Sequence, residues 1–309
     1  MSKIAVLIPV YNEEKTIKKV IYDWQTNLPS ASIYVYDNNS TDNTVAIVKN
    51  TGAYLGTEPK QGKGNVVRRM FREIDADCYI MVDGDDTYPV DSKIVSKVID
   101  LVLNKNIDMV VGDRLSSAYY TENKRRFHNF GNSIVKKAVN TLFKSDVKDV
   151  MTGMRAFSKT FVKTFPILSE GFEIETEMTI HAADKNMAIR NITIPYKDRE
   201  SGSESKLQTI PDGIKVIKTI IKLFKDYRPF AFFNTIALFF GGISIFAFIP
   251  ILAEYFNTGL VSKVPTLIMC SLFMMIAIIS FFSGLILNNI KRNERRSYEM
   301  MIQLIHKTR

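Results

Sequence analysis

The chain has 309 residues, of which 46% are hydrophobic and 24% are charged. These proportions are ordinary for a globular protein and exclude a largely disordered or collagen-like chain. Lys and Arg (41) outnumber Asp and Glu (32), and the formal net charge of +9 favours acidic partners such as phosphates, nucleic acid or anionic lipid. Two cysteines, Cys78 and Cys270, are too few for a disulfide framework and fit a reducing compartment.

Residues 1–207 alternate between strand and helix patterns. An apolar run at 3–10 predicts a strand, and apolar residues three or four apart over 13–25 predict a helix. Further strands are predicted at 33–36, 79–82 and 108–111, and a helix at 41–49. This alternation predicts a mainly parallel sheet covered by helices, with ligands bound beyond the carboxyl ends of the strands.

Two later segments, 230–253 and 264–290, contain no charged residue. A helix of 24 residues reaches about 36 Å, enough to cross a hydrocarbon core of about 30 Å. Small residues such as Gly241, Ser244 and Gly284 would let the two helices approach closely. The sequence therefore predicts an antiparallel transmembrane hairpin at 230–290, preferred over a buried hairpin in a soluble domain.

Basic residues flank both outer ends of this hairpin. They are Lys218, Lys222, Lys225, Arg228, Lys291, Arg292, Arg295 and Arg296. The positive-inside rule then places residues 1–207 in the cytoplasm, in a multi-pass protein of the inner or plasma membrane. Segment 208–229 has helical apolar spacing interleaved with lysines, which predicts a juxtamembrane amphipathic helix contacting lipid headgroups. The alternative is a helix packed on the soluble domain. Residues 291–309 form a basic cytoplasmic tail.

The sharpest local signal is Asp83-Gly84-Asp85-Asp86, which follows the predicted strand 79–82 directly. Two carboxylates two residues apart at a strand end suit a hard divalent cation, which prefers oxygen ligands. A solvated acidic turn is the alternative, since Asp and Gly are common in turns. We expect Asp83 and Asp85 to be the metal ligands, with Asp86 secondary.

Two other strand ends and one loop carry matching motifs. They are Ile8-Pro9-Val10-Tyr11-Asn12-Glu13-Glu14, Asp37-Asn38-Asn39-Ser40-Thr41-Asp42 and Gln61-Gly62-Lys63-Gly64. With the acidic turn they resemble family 2 glycosyltransferases, whose GT-A fold is Rossmann-like. The resemblance implies donor binding by Pro9, Tyr11, Asn12, Glu13, Asp37, Asn39, Lys63, Gly64, Asp83, Gly84, Arg199 and Lys206. The family often has an acid in place of Asn38 and a glycine in place of Asn39.

Later motifs narrow this resemblance. They are Val110-Val111-Gly112-Asp113-Arg114, Asn129-Phe130-Gly131-Asn132, Asp149-Val150-Met151-Thr152-Gly153-Met154-Arg155-Ala156-Phe157, Gly171-Phe172-Glu173-Ile174-Glu175-Thr176-Glu177 and the stretch 196–207. Their order is similar to that of polyprenyl-phosphate glycosyltransferases, the group of dolichol-phosphate mannose synthase and bacterial undecaprenyl-phosphate glucosyltransferases. The two-span tail is similar to the bacterial branch.

The resemblance implies transfer of a hexose, with inversion, from a nucleotide-sugar to polyprenyl phosphate for cell-envelope glycan modification. It also implies Mg²⁺ or Mn²⁺ as cofactor and Asp85, Arg114, Arg126 and Asp149 as catalytic residues. Arg114, Arg125 and Arg126 are candidates for the acceptor phosphate, because a guanidinium fork suits phosphate oxygens. For Arg125 and Arg126 a solvated basic turn is an equal alternative.

Several alternatives stay open at this point. UDP-glucose or UDP-N-acetylglucosamine is favoured as donor over GDP-mannose, which a polyprenyl-phosphate mannose synthase would use. Two further hypotheses for the function are a processive polysaccharide synthase and a non-enzymatic membrane scaffold. Membrane lipids are expected partners, and nucleic acid is not, since the basic excess flanks the predicted spans. A homo-oligomer and a membrane flippase or downstream transferase are open as further partners.

Overall fold

The computed structural model of the protein describes residues 2–117, 136–143, 145–171, 173–198, 221–222 and 224–307. The chain divides into two compact units, Met1–Gly213 and Ile214–Arg309. Most of the amphipathic helix predicted at 208–229 lies outside the described residues.

The first unit is built on a seven-stranded sheet with the order β3-β2-β1-β4-β6-β5-β7. Six strands run parallel and β6 runs antiparallel to both of its neighbours. The strands are β1 Ile4–Val10, β2 Ser32–Asp37, β3 Tyr54–Thr57, β4 Cys78–Met81, β5 Met109–Asp113, β6 Arg155–Ser158 and β7 Ile189–Thr193. The predicted α/β architecture with a mainly parallel sheet is confirmed.

Helices connect these strands. They are α1 Ile17–Asn27, α2 Thr44–Lys49, α3 Lys63–Glu73, α4 Ser92–Leu103, α5 Lys159–Thr164 and α6 Ile174–Asp184, and residues 136–143 are also helical. The apolar stripe of α1, formed by Ile17, Val20, Ile21 and Trp24, is buried against the sheet core. Asp91 caps α4 by accepting hydrogen bonds from the backbone N–H groups of Lys93 and Ile94.

The central strands are the most deeply buried part of this unit. All four residues of β4 are buried, as are all five of β5. Strands covered on both faces read as continuous apolar runs, which is why 79–82 and 108–111 were recognisable in the sequence. Element ends differ from the expectation by up to four residues. Helix α1 begins at Ile17 rather than residue 13; residues 14–16 form a turn, in which the Glu13 carbonyl accepts from the N–H groups of Thr16 and Ile17.

The second unit contains two long helices, α7 Pro229–Thr258 and α8 Val264–Lys307. Both have the length and apolar composition needed to cross a membrane, with a mean hydropathy of 2.4 in their most apolar windows. The two helices are antiparallel neighbours: the Ser244 hydroxyl donates to the Cys270 carbonyl at 2.8 Å, and a Cβ on Gly284 would lie 3.0 Å from that of Phe233. Small residues thus occupy the helix–helix interface, as predicted.

Candidate active site

The polar turns predicted to be functional converge at one edge of the sheet. Strand β1 lies between β2 and β4, so the chain order reverses at β1. The turns after β1, β2, β4 and β5 leave the sheet at the same edge, because these four strands are parallel. In open α/β sheets this reversal point is where ligands bind.

The turns after β1 and β2 are joined by hydrogen bonds between side-chain oxygens and backbone N–H groups. The Asn12 N–H donates to the Ser40 hydroxyl at 2.9 Å, and the Thr41 N–H donates to Asn12 Oδ1 at 2.8 Å. The Glu13 N–H donates to the Thr44 hydroxyl at 2.9 Å. The carboxylate of Asp37 accepts from the Ser40 N–H at 3.2 Å. These bonds fix the backbone of both predicted donor-binding turns in one arrangement.

Two residues explain how this chain departs from the family pattern. Asn39 has φ = +64°. Asn tolerates this backbone conformation and glycine adopts it freely, so Asn39 can take the place of the family's glycine in this turn. The buried Asn38 amide donates to the carbonyls of Glu58 (2.9 Å) and Lys60 (2.7 Å) and accepts from the Gly62 N–H (2.7 Å). Asn38 therefore holds the loop that leads to Lys63.

The glycines beside Lys63 are required by close packing. A Cβ on Gly64 would lie 2.1 Å from the Ser169 carbonyl oxygen, and one on Gly62 would lie 2.2 Å from that of Glu170. Gly62 also has φ = +129°, which side chains rarely adopt. The Gly64 N–H donates to the Glu170 carbonyl at 2.9 Å. This packing places Lys63 at the start of α3 with its side chain directed at β4.

Lys63 bridges two carboxylates. Its Nζ lies 2.6 Å from Asp83 Oδ1 and 2.6 Å from Glu175 Oε1. Burial opposes the charge of the ammonium, but the two carboxylates outweigh it, and the pKa of Lys63 is raised. Burial raises the pKa of Glu175, against the attraction of Lys63. Glu175 lies in the motif 171–177 but received no role from the sequence, because nothing there pairs α6 with α3.

The three acids of the turn after β4 have different surroundings. Asp85, 5% exposed, accepts from the Thr87 hydroxyl at 2.7 Å and from the Thr87 N–H at 3.2 Å. Asp86 has φ = +56° and forms ion pairs with Lys19 (3.0 Å) and Lys197. Asp83 faces Lys63, and the Gly84 carbonyl accepts from the Thr16 hydroxyl at 2.7 Å.

A divalent cation is compatible with this turn. Among the described residues no group of three or more His, Cys, Asp or Glu side chains is placed to hold a metal ion. Mg²⁺, however, is commonly held by only one or two carboxylates together with substrate phosphates and water. Asp83 and Asp85 supply that minimal set of oxygen ligands, and Asp83 keeps 26% of its side chain exposed. The donor set therefore fits a metal completed by a diphosphate.

The turn after β5 carries Arg114 in a fixed orientation. Its Nε lies 2.7 Å from Asp149 Oδ2 and its Nη2 lies 3.1 Å from Asp149 Oδ1, while Nη2 also donates to the Met151 carbonyl at 2.9 Å. The guanidinium carbon lies 5.4 Å from the centre of the Tyr196 ring. Asp149 is fully buried, so in this structure it contacts Arg114 and holds its fork.

One short segment contacts both the turn after β4 and the turn after β5. Residues 149–153 hold Arg114 through Asp149 and Met151. At the other end, a Cβ on Gly153 would lie 2.0 Å from Asp83 Oδ2, so only glycine fits against the acidic turn. The Gly153 N–H donates to the Tyr88 hydroxyl at 2.8 Å. The predicted metal turn and the predicted acceptor arginine are thereby packed onto the same five residues.

A buried arginine donates hydrogen bonds to the backbone of this segment. Arg155 is 1% exposed and donates to the carbonyls of Val150 (2.6 Å) and Thr152 (3.2 Å) and to the Thr179 hydroxyl (3.0 Å). Burial lowers the pKa of Arg155 to about 10. No role is predicted for Arg155 from the sequence, although it stands in the motif 149–157.

Four predicted site residues lie outside the described residues: Arg125, Arg126, Arg199 and Lys206. Their roles stay predictions. Of the remaining donor-side residues, Pro9 is half-buried within β1, and Tyr11 follows it in the turn. The structure therefore brings the described part of the predicted site to one sheet edge and adds Glu175 and Arg155.

This mixed, mainly parallel sheet with an acidic turn at its reversal point defines a GT-A α/β domain. The fold is shared by the glucosyl-3-phosphoglycerate synthase of Mycobacterium tuberculosis, solved with Mn²⁺, uridine diphosphate and phosphoglyceric acid. The match covers 72% of this chain and 78% of that one, with a TM-score of 0.59 and 19% identity. Another structure of that synthase contains Mg²⁺ and uridine diphosphate.

The chain belongs to glycosyl transferase family 2, whose family model matches residues 5–165. It is similar to the protein RfbJ of Shigella flexneri, with 56% identity over 111 residues, 36% of this chain and 84% of RfbJ. It is also similar to a dolichyl-phosphate hexose transferase of Haloferax volcanii, with 29% identity over 225 residues, 73% of this chain and 95% of that protein. The family resemblance seen in the motifs is confirmed, and the protein is a glycosyltransferase.

Proposed function

We propose that the protein transfers a hexose from a nucleotide-sugar to a polyprenyl phosphate such as undecaprenyl phosphate. The product would be a sugar linked to the lipid through one phosphate. The observation that carries this proposal is the segment 149–153, which packs against Asp83 at one end and holds Arg114 at the other. A donor diphosphate at the acidic turn and an acceptor phosphate at Arg114 would then be neighbours.

Relatives support the acceptor class. The similar Haloferax volcanii protein is named a dolichyl-phosphate hexose transferase, and its sequence matches 73% of this chain. For the donor we favour UDP-glucose or UDP-N-acetylglucosamine. The structural neighbour binds uridine diphosphate, and the two-helix tail is similar to the bacterial branch of the group.

Mg²⁺ or Mn²⁺ is the proposed cofactor, held by Asp83 and Asp85. When bound, such an ion supplies charge that offsets the departing diphosphate. Lys63 contributes a second positive charge within the same cluster. The other proposed donor-side residues shape the pocket: the turns at Asn12 and Asp37 are joined by hydrogen bonds to backbone N–H groups, which hold both turns in place beside the proposed base and ribose.

The proposed reaction requires few further protein groups. A lipid phosphate is anionic near neutral pH, so its oxygen attacks the anomeric carbon while the bond from that carbon to the β-phosphate oxygen breaks. The nucleoside diphosphate leaves with the bonding electron pair. The protein must align the two substrates and stabilise their charge. Arg114, oriented by Asp149, would grip the acceptor phosphate. Direct attack inverts the anomeric centre, so an α-linked donor gives a β-linked product.

We further propose that α7 and α8 anchor the protein in the membrane, with the sheet unit on the cytoplasmic side. Both helices are long and apolar enough, and their outer ends are basic. The proposed division is a transferase domain at 1–207, a juxtamembrane segment at 208–229, a hairpin at 230–290 and a tail at 291–309. A membrane-anchored pocket suits an acceptor whose tail lies in the bilayer.

The test is a donor panel with the purified full chain, undecaprenyl phosphate and Mg²⁺ or Mn²⁺. We expect a UDP-hexose to be consumed, UDP to be released and a β-linked lipid sugar to appear by NMR. Undecaprenyl alcohol, which lacks the phosphate, should give no product. An α-linked product, release of UMP, a preference for GDP-mannose, or a polymeric product would each contradict the proposal.

A further inference from the structure

We propose that Glu175 is a positioning residue that sets the charge available to a divalent cation at Asp83 and Asp85, acting through Lys63. Glu175 is the second residue of α6, and its side chain is 9% exposed. It does not adjoin the acidic turn in sequence, and it is linked to that turn by the Lys63 ammonium, 2.6 Å away. This inference rests on the proposed metal-assisted transfer and adds a residue to it.

The Lys63 ammonium is shared between two carboxylates. Lys63 Nζ lies equally close, at 2.6 Å, to Asp83 Oδ1 and to Glu175 Oε1. The lysine side chain is 9% exposed, so water does little to screen it from either carboxylate. Because the ammonium is shared, Asp83 is only partly neutralised. If Glu175 lost its charge, Asp83 would be the one acid of this pair left to hold Lys63.

The charge balance then favours a divalent ion. Asp83, Asp85 and Glu175 contribute three negative charges and Lys63 one positive charge, a combined formal charge of −2. Replacing Glu175 by Gln leaves −1. Arg155 and the Arg114–Asp149 pair are present in both forms, so the difference is one charge whichever neighbours are counted. In this variant the Lys63 ammonium would pair with Asp83 alone. It would then compete with the metal for a carboxylate oxygen of Asp83.

The experiment measures Mn²⁺ binding to the purified full chain, from the EPR signal of free Mn²⁺, without nucleotide and then with UDP. Four variants are compared with the wild type: Glu175→Gln, Lys63→Met, the Glu175→Gln/Lys63→Met double variant, and Glu173→Gln. Glu173 is an exposed acid two residues from Glu175, so it controls for the loss of one negative charge on the same segment.

We expect Glu175→Gln to weaken Mn²⁺ binding by about ten-fold, and Glu173→Gln to change it by less than about two-fold. The double variant removes the competing ammonium and restores the formal charge of −2. It should therefore bind Mn²⁺ within about three-fold of the wild type. Recovery on removing a second residue is a result that a purely structural role for Glu175 would not give.

The outcomes separate this inference from the proposed function. If the wild type binds Mn²⁺ and Glu175→Gln binds it equally well, the inference fails while the metal site stands. If the wild type binds no Mn²⁺ even with UDP, both fail. Should Glu175→Gln not fold, as judged by circular dichroism, Lys63→Met decides: binding at least as tight as wild type supports the inference, and weaker binding overturns it.

Discussion

The two sides of the active-site edge are held together by different interactions. The turns after β1 and β2 are joined by hydrogen bonds between side-chain oxygens and backbone N–H groups, as at Asn12–Ser40 and Glu14–Asn43. The turns after β4 and β5 are held by buried ion pairs, as at Lys63–Asp83 and Arg114–Asp149. Hydrogen bonds to the backbone fix a shape, whereas pairs of opposite charges create an electrostatic field for phosphates. This division suits the proposed transfer from a nucleoside-bearing donor to a lipid phosphate.

The largest effect is expected from removing charge on the β4 side. Asp85→Asn keeps an amide oxygen that can accept from the Thr87 hydroxyl and N–H, so the turn should fold. The carboxylate that a metal needs is lost, and turnover should fall by at least about 100-fold, or about 2.7 kcal/mol. Initial rates at saturating donor and lipid measure this.

Asp100→Asn is the matched control for that experiment, because Asp100 is an exposed acid on α4. It should retain wild-type rates. Near-normal turnover and metal dependence in Asp85→Asn would remove Asp85 from the metal site, and a large loss in Asp100→Asn would show that the assay responds to surface charge.

A middle-sized effect is expected on the β2 side. Asn38→Asp keeps the acceptor for the Gly62 N–H but replaces the amide that donates to the Glu58 and Lys60 carbonyls with a carboxylate oxygen. A carboxylate oxygen would then face the two carbonyl oxygens with no donor between them, which lowers the free energy of unfolding by about 1–3 kcal/mol. Because this loop leads to Lys63, we expect a several-fold higher donor KM and a lower unfolding midpoint. An unchanged donor KM would show that Asn38 does not position the loop.

The smallest effect is expected at Asn39. Glycine adopts φ = +64° without strain, so Asn39→Gly should change the free energy of unfolding by less than about 1 kcal/mol, the loss coming from the bond of the Asn39 amide to the Pro59 carbonyl. Asn39→Val is the contrasting variant, since a β-branched residue is strained at positive φ. Denaturant titration distinguishes the two. Equal stability of both variants would contradict the backbone explanation.

How far the sequence predicts this site depends on how local each feature is. The acidic turn, the turns at Asn12 and Asp37, and the two apolar helices follow from residues adjacent in the chain. Glu175 and Arg155 do not. Glu175 meets Lys63 across 112 positions, and such pairing depends on how α6 packs.

Local geometry also accounted for what the motifs left open. Asn39 stands where the family often has a glycine, and its positive φ explains why an asparagine fits this position. The antiparallel course of β6 was not predicted either. The sequence of β6, Arg155-Ala156-Phe157-Ser158, lacks the continuous apolar run that marks 79–82, so no strand was predicted there.

The most direct test of the division between the two sides is Arg114→Lys. Lysine keeps the charge but loses the two-pronged contact with Asp149. Donor affinity is measured by calorimetry, beside steady-state kinetics in varied undecaprenyl phosphate. We expect use of the lipid to weaken by about ten-fold or more, equivalent to about 1.4 kcal/mol in the transition state, with donor affinity close to wild type. Loss of donor affinity with unchanged lipid dependence would contradict the assignment of Arg114 to the acceptor.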